Sequence, residues 1–488
     1  MIIFISGHKF HFEIENLCRM FFPNSEIKLN YEYSDTDEDY LFTSMISENG
    51  VTILNADIRV GDNSAQFSDS LQVYSNEEAE YKLALCAFKC LHSVTGYTPA
   101  WGMLTGVRPS KLMSKLIDQL GEAKAKNYFT DKLLVSEQKT NLAAKVSEIQ
   151  RPIVAENKRN SFSLYVSIPF CPSRCSYCSF VSHSITSSNA KKLFPAYLEN
   201  LKKEIEITGK IAAENSLKLE SVYFGGGTPG ILSANETLML IEAVRNSFDL
   251  TYCREYTFES GRADVITAEK LEVLKNNGVG RISINPQTFD DSVLEIIGRK
   301  HTASEALSAY NLAKSIGFDS INMDLIAGLP GDTIDGFKSS VDTAIANRPE
   351  NITVHSLALK RSSTLVAKEN TLLSQDDTAA KMIDYANMSL INAGYVPYYM
   401  YRQSRCVGNL ENVGWCLPGK ECLYNIYMME EIHTVLAVGA GAVTKLKEPD
   451  GAYIERIFNF KYPYEYNSRF DELIERKNRI TEFYSTYN

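Results

Sequence analysis

Three cysteines in one short segment are the feature of this sequence best suited to carry chemistry. Cys171, Cys175 and Cys178 lie in Cys-Pro-Ser-Arg-Cys-Ser-Tyr-Cys, with three and then two residues between them. Three thiolates can bind three irons of a cubane 4Fe-4S cluster and leave the fourth iron open to a ligand. A closed zinc site is the alternative, with His183 as the fourth ligand. Three crowded cysteines with no ligand would have no packing motive.

A glycine-rich turn is the second candidate. Gly225-Gly-Gly-Thr-Pro229 directly follows an apolar run that ends in Phe224. Successive glycines expose backbone N–H groups and allow a ligand to approach the main chain closely. Taken alone, such a turn can also be only a tight connection between a strand and a helix. Its position about fifty residues after the cysteines favours a ligand-binding role.

From Ser163 onwards, short β-branched or aromatic runs alternate with longer amphipathic stretches. The predicted strands are Leu164 to Ile168, Ser221 to Phe224, Tyr256 to Glu259, Arg281 to Asn285, Ser320 to Ile326 and Ile352 to Leu357. The predicted helices are Leu193 to Ile211, Ala234 to Phe248, Ala268 to Asn277, Ser304 to Ile316 and Gly336 to Ala346. Strict alternation implies right-handed βαβ crossovers and a parallel sheet, either a barrel or an open doubly wound fold. Six units are too few for a complete eight-stranded barrel, and the site is expected at the carboxyl ends of the strands.

The remaining sequence predicts two flanking domains. At roughly 150 residues per domain, 488 residues suggest about three domains. We predict an N-terminal accessory α+β domain over 1–155, a barrel domain over 160–372 and a C-terminal, substrate-side domain over 373–488. Helical patterns at Glu77 to Leu91 and Val135 to Ile149 belong to the first domain, and an aromatic-rich stretch at Tyr395 to Arg402 belongs to the third.

Composition excludes several functional classes. The chain has 60 acidic and 50 basic residues, a net charge of −10, so nucleic acid is not expected as a principal partner. No apolar window is long enough for a spanning helix, and the N-terminus lacks a secretory pattern, so membrane insertion and export are not expected. Ten unevenly spread cysteines do not form the framework of a secreted disulfide scaffold. A cytoplasmic location is therefore predicted.

Taken together, the motifs resemble those of the radical S-adenosylmethionine (SAM) enzymes. Within these enzymes the chain is most similar to the oxygen-independent coproporphyrinogen III dehydrogenases, in particular their HemZ-type branch. The resemblance covers roughly Leu164 to Lys445 and rests on Tyr165-Val-Ser-Ile-Pro-Phe-Cys171, Tyr223-Phe-Gly-Gly-Gly-Thr-Pro229, Arg281-Ile-Ser-Ile-Asn-Pro-Gln-Thr-Phe289, Gly298-Arg-Lys-His-Thr302 and Met323-Asp-Leu-Ile-Ala-Gly-Leu-Pro-Gly331. It implies an α/β fold with a partial (β/α)6 radical SAM barrel, an N-terminal α+β domain and a C-terminal α+β extension.

The resemblance also implies roles for particular residues. The cysteines Cys171, Cys175 and Cys178 would hold a 4Fe-4S cluster whose open iron binds SAM. Two SAM molecules per site are expected, with contacts from Tyr165, Gly226, Gly227, Thr228, Glu259, Gln287, Arg299, Asp324, Ala358 and Val443. Tyr165 and Glu259 are the residues expected to take part in catalysis. Arg299 could instead hold a substrate propionate, and Asp324, inside an apolar strand, is expected to have a buried partner.

The implied activity belongs to anaerobic haem synthesis. An adenosyl radical would abstract hydrogen from the propionates of coproporphyrinogen III, and loss of carbon dioxide and an electron would give the vinyl groups of protoporphyrinogen IX. A haem-binding chaperone on the same scaffold and a radical SAM methyltransferase acting on a porphyrin-like substrate are the alternatives. Reduced flavodoxin or ferredoxin is the expected electron donor. The chain departs from the family pattern at Ser167, where a histidine is frequent, and at Phe180, where the dehydrogenases carry a further cysteine.

A tetra-acidic substrate requires positive charge to be gathered locally in a protein that is negative overall. The candidate residues for this are Arg402, Arg405, Lys420 and Lys445.

Overall fold

The computed structural model describes residues 1–72, 75–180, 182–358, 377–403 and 406–487. Arg405 and the predicted domain boundary at 372/373 lie outside these residues. Contacts divide the chain into two compact units, the first mainly Met1–Ala144 with Arg402–Leu410, the second mainly the chain from Lys145 onwards. No helix among the described residues is long and apolar enough to cross a membrane.

The first unit contains a five-stranded sheet with helices packed against it. Its elements are β1 (Ile2–Ser6), α1 (His11–Phe21), β2 (Lys28–Asn30), β3 (Tyr40–Glu48), β4 (Val51–Val60), β5 (Asn63–Leu71), α2 (Asn76–Thr95), α3 (Pro109–Leu120) and α4 (Glu122–Asn127). The strand order is β2-β1-β3-β4-β5, parallel around β1 and antiparallel from β3 to β5. Apolar side chains of β1, β4, α1 and α2 form its core, including Ile3, Leu17, Leu54 and Leu83. The predicted α+β character of this region is confirmed.

The second unit is built on an 11-stranded sheet. Its first elements, after α5 (Glu137–Ala155), are β6 (Ser161–Ile168), β7 (Phe170–Cys171), β8 (His183–Ser184), α6 (Ser188–Glu214), β9 (Lys218–Gly226), α7 (Ala234–Ser247), β10 (Glu255–Gly261), α8 (Ala268–Asn276), β11 (Arg281–Ile284), α9 (Asp291–Ile296), α10 (Ala303–Ile316), β12 (Ser320–Ala327), α11 (Ile334–Asn347) and β13 (Asn351–Ser356). Its later elements are α12 (Thr378–Asn392), β14 (Val396–Arg402), β15 (Glu411–Cys416), α13 (Leu423–Glu430), β16 (Thr434–Val438), β17 (Val443–Lys447), β18 (Ile454–Phe458), α14 (Pro463–Ser468) and α15 (Phe470–Ser485).

Six neighbouring strands of this sheet, β6 and β9 to β13, are parallel and follow one another in chain order. Helices α6, α7, α8, α10 and α11 connect them, as the alternating sequence pattern predicts. The α/β fold class and the six βα units of a partial barrel are confirmed. Sequence-based bounds differ from the observed ones mainly by short extensions at the element ends, where pairing adds a few residues.

The C-terminal segment joins the same sheet, which differs from the predicted separate domain over 373–488. Strand β16 pairs in parallel with β6, and β15 pairs antiparallel with β13. All five residues of β16 are buried. The backbone N–H and C=O groups of a fully buried strand must be hydrogen-bonded within a sheet. The edge of β6 opposite β9 provides the partners for β16. The observed contacts therefore place the second and third predicted segments in one unit.

The two faces of the parallel strands differ in chemistry. Side chains alternate along a strand, and one face carries apolar residues such as Val166, Phe224 and Ile282, all buried. The opposite face carries polar residues, including Glu259 and Asp324. Parallel strands covered on both sides are usually apolar throughout. The polar face is therefore the natural place for a binding site.

Candidate functional site

The three cysteines lie in a loop that begins at the carboxyl end of β6. The short strands β7 and β8 pair with each other and tie the two ends of this loop together. Cys171 and Cys175 are buried, and Cys178 is half-buried. Burial raises the pKa of the Cys178 thiol to about 11, and the nearby Cys171 and Cys175 raise this pKa as well. The structure thus brings the three predicted ligands close together.

A single zinc ion, with His183 as the fourth ligand, is the alternative occupant of this loop. Within the described residues, no three His, Cys, Asp or Glu side chains are placed to hold one metal ion. A zinc ion would need sulfur ligands about 2.3 Å away, whereas a cubane spreads its thiolates over three irons. The zinc alternative with His183 therefore has no support from the geometry.

The glycine-rich turn packs directly against the cysteine loop. The Gly227 N–H donates to the carbonyl of Ile168 and the Thr228 N–H to that of Phe170, each at 2.8 Å. The Thr228 hydroxyl lies 3.4 Å from the sulfur of Cys171. A Cβ on Gly227 would lie 2.5 Å from the Phe170 carbonyl oxygen and 3.0 Å from the Cys171 sulfur. Only glycine fits this position.

The expected catalytic residues Tyr165 and Glu259 are joined through a third side chain. Tyr223 lies on β9 between them, stacks on Tyr165 with 6.2 Å between ring centres, and donates a hydrogen bond to Glu259 Oε1 at 2.5 Å. Burial raises the pKa of Glu259 to about 7, although the hydrogen bond from Tyr223 lowers it. Glu259 is thus a half-buried carboxyl group with a pKa near neutral pH, as is common at functional sites.

Asp324 has the polar partners that its position in an apolar strand predicts, and these partners are half-buried. Asn322 donates to Asp324 Oδ1 at 2.7 Å, and His355 Nε2 lies 3.8 Å from Oδ2. Burial by itself would raise the pKa of Asp324, but His355 and Asn322 outweigh it and hold this pKa below its usual value. Gln287 lies beside this aspartate, since its N–H donates to the Asp324 carbonyl at 2.8 Å. Its φ of 71° is unusual for a residue with a side chain and marks a constrained backbone.

Arg299 supplies a buried positive charge. Its Nη2 donates to the Tyr177 hydroxyl at 2.8 Å, while Nε and Nη1 have no hydrogen-bond partner among the residues described. Polar atoms of Ser283 and Asn285 are also buried and unpaired within the described chain. Buried donors are rarely left unpaired, and a guanidinium binds carboxylates in a bidentate manner. The two unpaired donors of Arg299 therefore fit an anionic ligand such as the carboxylate of SAM.

Ala358 and Val443, the two remaining predicted SAM contacts, are located here by their positions relative to the strands. Ala358 is half-buried and follows the carboxyl end of β13 by two residues. Val443 begins β17, directly after the turn that follows the carboxyl end of β16. Their contacts with SAM remain predictions.

Three of the four cations predicted for substrate binding, Arg402, Lys420 and Lys445, lie among the described residues. Arg402 is buried in the first unit and donates to the carbonyls of Leu104 and Asn409. Lys420 donates to the Asp319 carbonyl at 3.0 Å, next to the amino end of β12. Lys445 contacts the sulfur of Met428 on α13 at 3.0 Å. Arg405 lies outside the described residues. Backbone carbonyls thus engage Arg402 and Lys420, and a role of these cations in substrate binding stays a prediction.

Sequence reasoning missed Tyr223, Asn322 and His355 as site residues. All three lie on the polar face and contact Glu259 or Asp324. Asn322 and Asp324 are two positions apart, and polar residues are spaced similarly in the other predicted strands. This spacing was a usable signal, because residues i and i+2 lie on the same face of a strand.

Comparison with known proteins agrees with this geometry. Residues 165–344 match the family described as the radical SAM superfamily. The chain is 33% identical over 494 residues to the Bacillus subtilis "Oxygen-independent coproporphyrinogen-III oxidase-like protein HemZ", covering 98% of this chain and 97% of that protein. The chain belongs to the HemZ-type branch of the radical SAM superfamily.

Two further known proteins are similar to this HemZ-type protein, one in sequence and one in fold. It is 32% identical to the "Heme chaperone HemW" of Haemophilus influenzae over 65% of this chain and 78% of that one. Its fold matches that of coproporphyrinogen III oxidase (HemN) from Escherichia coli with a TM-score of 0.52 and 22% identity, over 67% of this chain and 72% of that chain. Radical SAM membership implies a 4Fe-4S cluster and SAM, and the cysteine loop and Arg299 are suited to hold them.

Glu259 makes the stability of the cluster-free protein depend on pH. Its pKa is about 7 when folded and 4.5 for an ordinary glutamate, so the folded state binds a proton that the unfolded state has lost between these values. Stability therefore falls as the pH rises through this range. We expect Glu259→Gln to gain stability over the parent, on the order of 2 kcal/mol near pH 8 and little near pH 4. Denaturant unfolding at several pH values measures this, and a pH-independent difference would contradict it.

Arg299 should be required for binding an anionic ligand. Charge-assisted hydrogen bonds contribute about 1.5–3 kcal/mol each, so we expect Arg299→Met to weaken SAM binding roughly 10-fold to 100-fold. Equilibrium dialysis with the reconstituted protein measures the affinity. Arg245→Met is the control, because Arg245 lies on α7 and donates to Asn277 at the surface. Unchanged affinity in Arg299→Met would show that SAM does not use this side chain.

Proposed function

We propose that this protein is a radical SAM oxidoreductase of anaerobic haem synthesis that converts propionate side chains of coproporphyrinogen III to the vinyl groups of protoporphyrinogen IX. Each converted –CH2–CH2–COO⁻ group would lose one hydrogen atom to the adenosyl radical, one carbon dioxide, and one electron to a one-electron acceptor, and would become –CH=CH2. When bound, the cluster and SAM supply the chemistry that abstracts the hydrogen atom.

The observation that best supports this proposal is the polar face that adjoins the cysteine loop. There Glu259 and Asp324 can accept hydrogen bonds from an ammonium group or ribose hydroxyls, and Arg299 can hold a carboxylate. The tyrosines at positions 165, 223 and 424 stack beside Glu259, with 4.3 Å between the ring centres of Tyr223 and Tyr424. This aromatic layer excludes water from one side of the carboxyl group. Two SAM molecules, one near Glu259 and one near Asp324, are part of the proposal.

A haem-binding chaperone is the second candidate. It is favoured by the identity of 32% to HemW, which is described as a heme chaperone. The same scaffold would then keep its cluster and bind haem without converting a porphyrinogen. In both cases a reduced flavodoxin or ferredoxin is the proposed electron donor.

Product analysis under strict anaerobiosis tests the two functions. The reconstituted protein is reduced chemically and incubated with SAM and coproporphyrinogen III. We expect 5'-deoxyadenosine and protoporphyrinogen IX to form together. Formation of 5'-deoxyadenosine without any vinyl product would contradict the dehydrogenase. Stoichiometric haem binding without turnover would support the chaperone, and S-adenosylhomocysteine would reveal methyl transfer.

A further inference from the structure

A second buried arginine contacts the cysteine loop from the side of β10. Arg262 directly follows β10 and is 3% exposed. Its Nη1 donates to the Ser173 hydroxyl at 2.7 Å and to the Ser173 carbonyl at 3.3 Å. The same nitrogen lies 4.0 Å from the sulfur of Cys175. One guanidinium nitrogen therefore holds the middle of the loop between the first two cysteines.

Asp264 fixes the orientation of this guanidinium. Nε and Nη2 of Arg262 donate to the two carboxylate oxygens of Asp264, each at 2.8 Å. Asp264 is partly exposed at 22%, whereas Arg262 is buried. The fork geometry leaves Nη1 directed at the loop, an arrangement that lysine, as a single point donor, cannot reproduce.

We propose that Arg262 is a positioning residue that orients Cys175 and tunes the reduction potential of the cluster bound by the loop. The potential of such clusters depends on net charge and on hydrogen bonds to the ligand sulfurs. Reduction adds one negative charge, and a buried cation beside Cys175 favours the more negative state. Arg262 therefore raises the midpoint potential, and Asp264 opposes it.

This proposal rests on the cluster of the proposed function but not on the porphyrin chemistry. Iron content and visible absorbance report separately whether the cluster is present. A protein that binds a cluster but makes no vinyl product would refute the proposed function and leave this test intact.

The test is an anaerobic potentiometric titration of reconstituted variants. Arg262→Met should lower the equilibrium constant for one-electron reduction about tenfold, a downward shift of ~59 mV. Arg262→Lys keeps the charge and should restore most of this shift. Asp264→Asn should raise the midpoint potential. If Arg262→Met does not retain iron, the midpoint potential of Asp264→Asn decides the question.

The control is Arg281→Met. Arg281 is also buried, but it pairs with Glu255 at 3.3 Å, at the amino ends of the strands. Its replacement should leave the midpoint unchanged. Equal midpoints in the parent and Arg262→Met, or a lowered midpoint in Asp264→Asn, would overturn the proposal.

A second readout uses the cluster-free protein. Alkylation of Cys175 with iodoacetamide, followed by peptide mass spectrometry, measures how firmly the loop is held. We expect several-fold faster alkylation in both Arg262→Met and Arg262→Lys, because neither side chain can hold Asp264 and Ser173 together. A rate equal to that of the parent in both variants would show that Arg262 does not position the loop.

Discussion

Cys178→Ala is expected to lose its cluster iron and to reduce 5'-deoxyadenosine formation by about three orders of magnitude or more. Each thiolate would bind a different iron, so removing one would leave two irons open and the cluster unstable. Iron and sulfide content, visible absorbance and 5'-deoxyadenosine formation measure the effect. The same result is expected at Cys171 and Cys175.

Cys253→Ala is the matched control for this substitution. Cys253 is also half-buried, but it lies before β10, where its thiol donates to the Glu255 carbonyl. We expect this variant to keep its iron and its activity. If Cys178→Ala kept both as well, the assignment of the cluster to the cysteine loop would be wrong.

Gly227→Ala is expected to have the second largest effect. The added Cβ would lie 2.5 Å from the Phe170 carbonyl oxygen and 2.9 Å from its nitrogen. These backbone atoms cannot move freely, because the N–H groups of Gly227 and Thr228 pair with Ile168 and Phe170. The cysteine loop must therefore shift. We expect iron incorporation to fall about tenfold and the cluster-free protein to lose about 1–3 kcal/mol of stability.

Gly106→Ala controls for the general cost of replacing a glycine. A Cβ at Gly106 would meet only the Leu104 side chain, at 3.8 Å. Iron assay and denaturant unfolding of both variants make the comparison. Full iron content and parental stability in Gly227→Ala would show that the turn does not support the loop as closely as the structure indicates.

The sequence was sufficient to predict the six parallel strands and their connecting helices. These elements depend on local patterns, namely apolar runs of strand length and amphipathic periods, which are visible without knowledge of contacts. The cysteine spacing and the glycine-rich turn could likewise be interpreted from residue types alone. The prediction that Asp324 needs a buried partner came from the energetic cost of an unpaired charge in an apolar strand.

The placement of the C-terminal segment could not be predicted in this way. Strand β16 pairs with β6 from more than 260 residues away, as in the register Val435 with Ser163. Helix α13 is fixed because Glu255 accepts hydrogen bonds from the N–H groups of Leu423 and Tyr424. Such pairings leave no local periodic signal, since the partner of each residue is decided by the packing of the whole sheet.

By itself, then, the sequence determined the reactive residue types, their spacing and the parallel arrangement of the strands that carry them. The tertiary structure alone decided that Tyr223 bonds Glu259, that His355 lies beside Asp324 and that Arg262 holds the cysteine loop. It also showed that backbone carbonyls engage Arg402 and Lys420. The physical reason is that burial and partner choice set the charge state and the orientation of a polar side chain, and both depend on contacts between distant parts of the chain.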